Sequence, residues 1–551
     1  MQQTLGNDTK AHELAGAQRE IGVAEFFSRN RHLLGFDNKR KALLTSVKEA
    51  VDNSLDACEE ANILPEISVD IIEMRKERYR IIIEDNGPGI LKKQVGNIFG
   101  KLLYGSKFHT LKQSRGQQGI GISASVMYGQ LTTGRASRIT TRISPNYPAD
   151  FFKIKIDTQK NMPVIEESRE VEWDKDHGTR IEIDLEGAYL GGQQSVDEFL
   201  RETAITNPHA TFIYTNPKAE QIIFPRAVDQ IPFQSKEIKP HPQGVELGIM
   251  MNLLAMTKAK NLQLFLSNEF SRVTAATAKQ ICENASLLPS TKPKSLSRSS
   301  VESLMKGIQE TKIMNPPTDC LSPITADNFE KGLKKEINAE FFTTTTRPPQ
   351  VYSGNPFIVE VGMAYGGQQP KDKPIRVLRY ANRVPLLYQQ GACGVTKAII
   401  QNTWRNYGLN QSKGSLPQGP LTVAVHIISV WVPFTSESKE AVAHYPEIIK
   451  EIKLAIQECG RKLSSYVRKK KKIHDESKKR DYIKKYIPHL GIALQEILEL
   501  ENHTREEKEE QLSGILEHTR GKLEDVEFDP SKNTEYDESF AKIGSDSNDE
   551  E

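Results

Sequence analysis

Long apolar runs are missing from these 551 residues: apolar types make up 37% of the chain, and no window nears the ~18 uninterrupted apolar residues of a membrane span. That excludes an integral membrane helix. Cysteine is scarce too, and Cys58, Cys282, Cys320, Cys393 and Cys459 show no C-x-x-C spacing. Such scatter argues against a zinc ribbon and a disulfide framework, and for buried thiols in a reducing cytoplasm. The polar start, Met1 to Lys10, has no apolar segment of the kind an export signal needs. Neither sign of charge dominates, with 74 basic residues against 72 acids and a formal charge of +2. Charge must therefore act locally. Glu524 to Glu551 holds eleven acids against two lysines, a composition too polar to build a core, and the rest of the chain is correspondingly basic. At ~150 residues per domain, the length implies three or four domains.

What is present is organised in blocks. Val47, Val51, Leu55 and Cys58 recur at helical spacing, which predicts an amphipathic helix over Leu43 to Glu60 with acids and amides on its other side. Ile67 to Glu84 reads as two strands around a polar turn, and Asp85-Asn86-Gly87-Pro88-Gly89 breaks the second sharply. Strand-like stretches at Phe152–Ile156 and Arg180–Leu185 alternate with helical ones, so an α/β sandwich is expected up to about Arg226. Helical windows follow at Val245–Met256, Thr274–Ala285 and Ser300–Gln309, with a Ser/Pro/Lys-rich linker over Pro289–Ser300. A third region carries strands at Ile358–Val361, Ile375–Ala381 and Leu421–Val432, then a charged helical segment from Tyr445 to about Glu501.

Two nucleotide motifs fail on inspection. Gly96 to Leu102 has three residues between its glycines, and no Ser or Thr follows Lys101, so it is not a phosphate loop of the Walker type. Gly119-Ile120-Gly121-Ile122-Ser123-Ala124 follows a polar loop rather than a strand, and no acid appears ~20 residues later. A different set carries more. Glu49 and Asn53, four apart, project from one helix face. Asp85 ends a strand, and Gly87 and Gly89 let backbone lie close to a flat ring or a phosphate. Gly116, Gly119 and Gly121 make a second flexible loop running into a helix whose first amides suit phosphate oxygens. His177-Gly178-Thr179 then precedes a strand. Singly each has an ordinary structural explanation; in this order, on these elements, they form a site.

The segments Glu49 to Ala57, Asp85 to Gly89, Gly116-Gln117-Gln118-Gly119-Ile120-Gly121 and Gly178-Thr179 resemble the four boxes of the GHKL ATPases, the Bergerat-fold group that includes gyrase, Hsp90, MutL and histidine kinases. The resemblance implies that the ligands are ATP and Mg2+, with Asn53 holding the metal, Asp85 taking the adenine amine with support from Thr179, and Glu49 acting as general base. It makes Gly87, Gly89, Ser106, Lys107, Arg115, Gly116, Gln117, Gln118, Gly119, Ile120, Gly121 and Ile122 the remaining nucleotide contacts. A histidine kinase would need a phosphoacceptor histidine on a helical hairpin upstream, and His12 has no room for one.

Within that group the chain is similar to the B subunits of type IIB topoisomerases, the topoisomerase VI family, through Val23 to Asp37, Tyr104 to His109 and Arg379 to Leu387. That resemblance implies a multidomain α/β protein: a strap over residues 1–22 that crosses to a second copy of the chain, a Bergerat-type ATPase domain over 23–230, and a helix-two-turns-helix insertion over 231–340. A transducer domain over 341–465, a helical stalk contacting the A subunit over 466–505, and an acidic, disordered tail over 506–551 complete it. Val432 to Glu440 resembles the loop bearing the transducer's switch lysine, which gives Lys439 a catalytic role at the γ-phosphate. The chain offers no separate acidic magnesium domain with a tyrosine nucleophile, since its sole internal Asp-x-Asp is Asp174-Lys175-Asp176. DNA cutting is accordingly expected from the A subunit, in an assembly of two A and two B subunits whose B subunits dimerise on ATP. A MutL-like repair ATPase and an Hsp90-like clamp are the competing readings.

Double-stranded DNA is the expected nonspecific partner, with Arg468-Lys469-Lys470-Lys471-Lys472 the foremost candidate contact and Lys292, Lys294, Arg298, Lys331, Lys334 and Lys335 behind it. The family's shorter form, lacking a C-terminal immunoglobulin-like domain, is expected, and Ile483 to Leu500 is the first choice for docking on the A subunit.

Overall fold

The computed structural model describes residues 10–18, 21–107, 110–116, 119–436, 438–499 and 502–520. Two short helices, α1 (Lys10–Ala17) and α2 (Val23–Arg29), lead into α3 (Lys39–Glu60). This third helix starts four residues before the predicted Leu43 because Asn38 caps it, its side-chain oxygen accepting from the Lys41 amide at 2.9 Å. Val47, Val51, Leu55 and Cys58 are all fully buried on its inner face.

The first sheet is built from β1 (Glu66–Arg75), β2 (Arg78–Asp85), then, after α4 (Lys92–Gly100) and α5 (Gly121–Thr133), β3 (Ser137–Arg142), β4 (Ala149–Asp157), β5 (Met162–Val171) and β6 (Gly178–Glu186). It is completed beyond α6 (Val196–Thr206) by β7 (Thr211–Thr215) and β8 (Gln221–Phe224). Its eight strands run in the order β5-β4-β3-β6-β2-β1-β7-β8. All neighbours are antiparallel except β1 and β7. The helices α3 to α6 share a core with the sheet, from Ala24 to Phe224. Register brings two distant polar residues together: Asp85 at the end of β2 lies opposite Thr179 at the start of β6.

A helical cluster comes next, α7 (Leu247–Met256), α8 (Leu262–Glu269), α9 (Ala275–Asn284) and α10 (Arg298–Glu310), closed around its own core from Val245 to Ile308. The stretch expected as a linker carries the cap of α10, where Ser297 Oγ accepts from the Ser300 amide at 3.2 Å.

The insertion is shorter than the expected 231–340. The helix α11 (Ala326–Glu336) leaves that cluster and packs through Phe329 and Leu333 against Ile205, Leu378 and Tyr380. Gly332 allows this, since a Cβ there would sit 2.2 Å from the Ile205 carbonyl oxygen.

The second sheet contains β9 (Phe341–Thr346), β10 (Gln350–Tyr352), β11 (Asn355–Tyr365), β12 (Arg376–Ala381), β13 (Val384–Pro385) and, beyond α12 (Gly394–Ile400), β14 (Leu421–Ser429). Its order is β10-β11-β14-β12-β13, with β9 also pairing β11. Every residue of β14 is buried, as expected of a central strand covered on both faces. The last helices are α13 (Pro446–Leu498) and α14 (Asn502–Arg520). Ile448, Ile452, Ile456, Cys459 and Leu463 of α13 join the core of the second sheet, and the helix passes the expected stalk boundary at 466 without a break.

Residues 506–520, expected within the structureless tail, are instead the body of α14. An Arg505–Glu509 ion pair at 2.8 Å supports that helix, and Glu509 packs beside Gly491 of α13. Residues 521–551 lie outside the described residues. All five cysteines are buried with free thiols. No helix among the described residues is long and apolar enough to cross a membrane.

Candidate functional site

One cavity of about 690 Å³ opens between α3, the end of β2, the glycine loop before α5, and two segments of the second body, around 385–388 and 438–440. Glu49 and Asn53 reach it from adjacent turns of α3, as their spacing predicts. Asp85, Gly89 and Thr179 line it, as do Ser106 and Lys107 and, in the adjoining glycine loop, Gly116, Gly119, Ile120, Gly121 and Ile122, with Lys439 entering from the second body.

Asp85 is held on three sides. Ser54 Oγ donates to its Oδ2 at 2.6 Å, and the amides of Gly87 and Thr179 donate to Oδ1 at 2.9 and 3.2 Å. Burial nevertheless keeps its carboxyl above the ordinary range. A carboxyl so fixed, at the end of an apolar pocket, is an acceptor aimed at one donor of a bound ring. Gly178 permits the close strand crossing here: its φ is +140°, and a Cβ would lie 2.1 Å from the Asp85 carbonyl oxygen. Thr179 Oγ1 sits 3.2 Å from Thr141 Oγ1, so the hydroxyl is steered by a neighbouring strand.

At the other end, Glu49 lies against the first turn of α5. A Cβ on Gly121 would stand 1.8 Å from Glu49 Oε2, so only glycine leaves room for that carboxylate. Gly121 and Ile122, at the start of that helix, line the cavity beside it, and a helix start favours an anion through both its donors and its dipole. Lys48 contacts Glu49 at 3.4 Å and Asp52 at 3.8 Å. Burial pushes the Asp52 carboxyl up to about 7.

Two expected contacts fall elsewhere. Gly87 is not on the cavity wall; its part is the amide it gives to Asp85. Arg115 is a correction as well. Its guanidinium is buried behind the cavity, bonded to Asp56 Oδ1 and Glu59 Oε1 at 2.6 Å each and to Asn207 Oδ1 at 2.6 Å. Two carboxylates on α3 outcompete the open cavity for that charge. Gln117 and Gln118 lie outside the described residues. Lys107 faces the cavity but also pairs with Asp56 at 2.5 Å; burial opposes its charge, and Asp56 and Glu60 hold it in place.

Sequence reasoning missed Ser54, although it stands beside Asn53 in the motif, and Leu386 to Tyr388, Lys41 and Glu440, which also line the cavity. Leu386, Leu387 and Glu440 stand in segments that carry the resemblance, but nothing local puts them on the cavity, because they come from elements brought together only by packing.

Among the basic residues, Arg468, Lys469, Lys470, Lys471 and Lys472 are all exposed and wrap one full turn of α13, with Lys470 paired to Glu340. Lys334 is engaged with Glu330 at 2.6 Å, and Arg298 with Glu302 at 3.1 Å. Lys335 lies half-buried beside Glu336, and burial lowers its pKa. No group of three or more His, Cys, Asp or Glu able to hold a metal occurs among the described residues.

Comparison with known proteins adds the family. Residues 42–179 match the "Histidine kinase-, DNA gyrase B-, and HSP90-like ATPase" family, and residues 316–479 match "Topoisomerase VI B subunit, transducer". The chain is 50% identical over 490 residues to the type 2 DNA topoisomerase 6 B subunit of Methanococcoides burtonii, covering 89% of this chain and 79% of that protein. The protein of the same name from Archaeoglobus fulgidus is 47% identical over 489 residues, with 89% and 81% covered. Among solved structures, the B-subunit of the DNA gyrase from Myxococcus xanthus covers 80% of this chain and 95% of its own at 10% identity and a TM-score of 0.40, too distant to add to the fold described above.

Proposed function

The chain belongs to the family of type 2 DNA topoisomerase 6 B subunits, and from that membership we propose that it binds and hydrolyses ATP to drive passage of one DNA duplex through a break made in another by a partner, the A subunit. The observation that carries the reading is the single cavity that gathers Glu49, Asn53, Asp85 and the glycine loop from one body and Lys439 from the next. Phosphoryl transfer to water asks the protein for positioning and charge neutralisation rather than covalent chemistry, and this cavity supplies both.

Asp85 accepts from the adenine amine, while Ser54, Gly87 and Thr179 fix the orientation of its carboxylate. The start of α5 receives the phosphates. Glu49, held beside Gly121, orients the attacking water and takes its proton. Asn53, the neighbouring cavity residue on α3, fits magnesium: its side chain is exposed to the cavity, and this metal is commonly held by nucleotide phosphates and water with one or two protein oxygens. When bound, the metal neutralises phosphate charge. Lys439 contacts the γ-phosphate, and because that contact lasts only while the group is attached, hydrolysis releases the second body.

The larger assembly follows as part of the same reading. Two B subunits close on ATP, with residues 1–22 as the strap between them, 23–230 as the ATPase domain, the second sheet with α11 and the start of α13 as the transducer, and the end of α13 meeting the A subunit. The exposed basic turn at 468–472 tracks DNA phosphates without reading sequence.

The test combines the purified chain, its A subunit, ATP, magnesium and supercoiled plasmid. Relaxation that needs both proteins and hydrolysable ATP is the expected result. Relaxation at the same rate when the chain is left out would overturn the proposal.

A further inference from the structure

The helix that carries Glu49 and Asn53 is fastened to the second body at both ends, and the two fastenings differ in kind. Towards its C-terminal end Glu59 is a hub. Its Oε1 accepts from Arg115 at 2.6 Å and from His209 at 2.8 Å, and lies 3.8 Å from Arg383, in the turn between β12 and β13. Arg383 is itself pinned: its amide donates to His426 Nε2 at 2.8 Å, and its guanidinium donates to the Ser322 carbonyl at 3.1 Å. The same turn is tied to the first body by Thr206 Oγ1, which donates to the Arg383 carbonyl at 2.7 Å, and by Asn382 Nδ2, which donates to the Ser114 carbonyl at 3.1 Å.

The other end has far fewer bonds. Lys41 pairs with Asp37 at 2.8 Å and with Glu440, and its ammonium stands 5.3 Å from the centre of the Tyr388 ring. Glu440's second oxygen accepts from Gln389 at 2.6 Å. Both partners are nearly covered, Lys41 at 11% and Glu440 at 8% side-chain exposure. A substantially desolvated pair of this kind loses much when one charge is removed. Glu440 directly follows Lys439, whose φ of +53° is left-handed, a conformation that a lysine keeps only where its surroundings impose it. Eighteen residues separate Lys41 from Glu59, so the two fastenings are ~27 Å apart along the helix.

We propose that Lys41 and Glu440 form a clasp that positions Lys439 over the nucleotide cavity, with the Glu59–Arg383 end serving as the pivot about which the second body turns. The proposal rests on the reading of Lys439 as the γ-phosphate contact. The pivot keeps the bodies joined in every nucleotide state. The clasp, a single ion pair between the bodies, is the part that can open. While it is shut, the backbone at residue 439 is anchored to the same helix as Glu49, so the lysine and the base keep a fixed separation across the cavity. Glu440 is thereby a positioning residue: although it stands at the cavity wall, it acts through its neighbour.

The experiment uses the full chain in complex with its A subunit, comparing Glu440→Gln, Lys41→Met, Lys41→Arg, the Lys41→Met/Glu440→Gln double variant and Lys439→Ala. Affinity for a fluorescent ATP analogue and steady-state hydrolysis are both measured. Glu440→Gln and Lys41→Met should keep nucleotide affinity within about threefold while kcat falls on the order of 10–100-fold, the scale of a misplaced catalytic group. Lys41→Arg should retain activity, and the double variant should be no worse than the poorer single one, because both remove the same contact. Wild-type kcat in Glu440→Gln and Lys41→Met beside an impaired Lys439→Ala would sink the clasp and leave the role of Lys439 standing. Normal hydrolysis by Lys439→Ala would remove the underlying reading and the clasp together. Should Glu440→Gln prove unstable in thermal unfolding, the contrast between Lys41→Arg and Lys41→Met decides: equal kcat in the two overturns the clasp.

Discussion

Replacing Asp85 with asparagine changes one atom's chemistry in a side chain whose surroundings are fully specified. The carbonyl of the new side chain can keep the Gly87 and Thr179 amides that Asp85 Oδ1 holds at 2.9 and 3.2 Å. The new NH2 then faces Ser54 Oγ, 2.6 Å from the present Oδ2, and a hydroxyl can turn to accept as readily as it donates. Folding stability should therefore shift by no more than about 1 kcal/mol, the worth of a single hydrogen bond. Nucleotide binding responds differently. The position that accepted from the adenine amine becomes a donor, which removes a hydrogen bond to a charged group, ~1.5–3 kcal/mol, and leaves two donors opposed in a buried place, ~1–3 kcal/mol more. Even the lower sum, about 2.5 kcal/mol, weakens binding roughly 60-fold at 1.4 kcal/mol per decade. Titration calorimetry with a non-hydrolysable ATP analogue reads the affinity, and urea unfolding reads the stability. An affinity within threefold of wild type, in a protein of normal stability, would show that Asp85 does not recognise the base.

Glu49→Ala should bind ATP with near-normal affinity while hydrolysis falls ~10²–10⁴-fold, the usual contribution of a general base; an unchanged rate in a coupled ATPase assay would refute the assignment. Gly121→Ala should produce a similar split, because its Cβ would stand 1.8 Å from Glu49 Oε2 and the flexible carboxylate must move; hydrolysis at the wild-type rate would show that its position is not critical. Arg115→Met leaves buried Asp56 and Glu59 short of a counter-charge and should cost about 3–5 kcal/mol in urea unfolding; a loss under 1 kcal/mol would mean Lys107 and His209 suffice. Burial holds the His426 imidazole below its ordinary range, so unfolding takes up a proton there and stability falls as the pH drops through ~6.5. His426→Gln should lessen the difference in urea midpoint between pH 8 and pH 5.5, and an unaltered difference would assign that acid sensitivity to other groups.

Much of the site could be read from order along the chain. Glu49 and Asn53 share a helix, so a spacing of four sufficed to bring them together. Asp85 and the glycines after it announced a strand end, and the structure has it. Reading failed where the chemistry depends on competition between partners. Arg115 stands in the loop that lines the cavity, yet Asp56 and Glu59, about sixty positions earlier, hold its guanidinium inside the protein. The expected boundary at 340 failed for a related reason: α11 is a helix like its predecessors, and only the fit of Gly332 against Ile205 shows which core it joins.

What the sequence determined by itself was local: the apolar stripe of α3, the turn after Asp85, the glycine loop opening α5, and the family likeness those pieces carry. Each depends on residues within a few turns of one another, where backbone geometry fixes what side chains can share. The tertiary structure alone decided which distant groups meet, placing Lys41 of the first body against Glu440 of the second and Glu59 against Arg383. Burial is the physical reason. Once water is excluded, a charge must find a partner wherever packing has left one, and the chain order does not say where that will be.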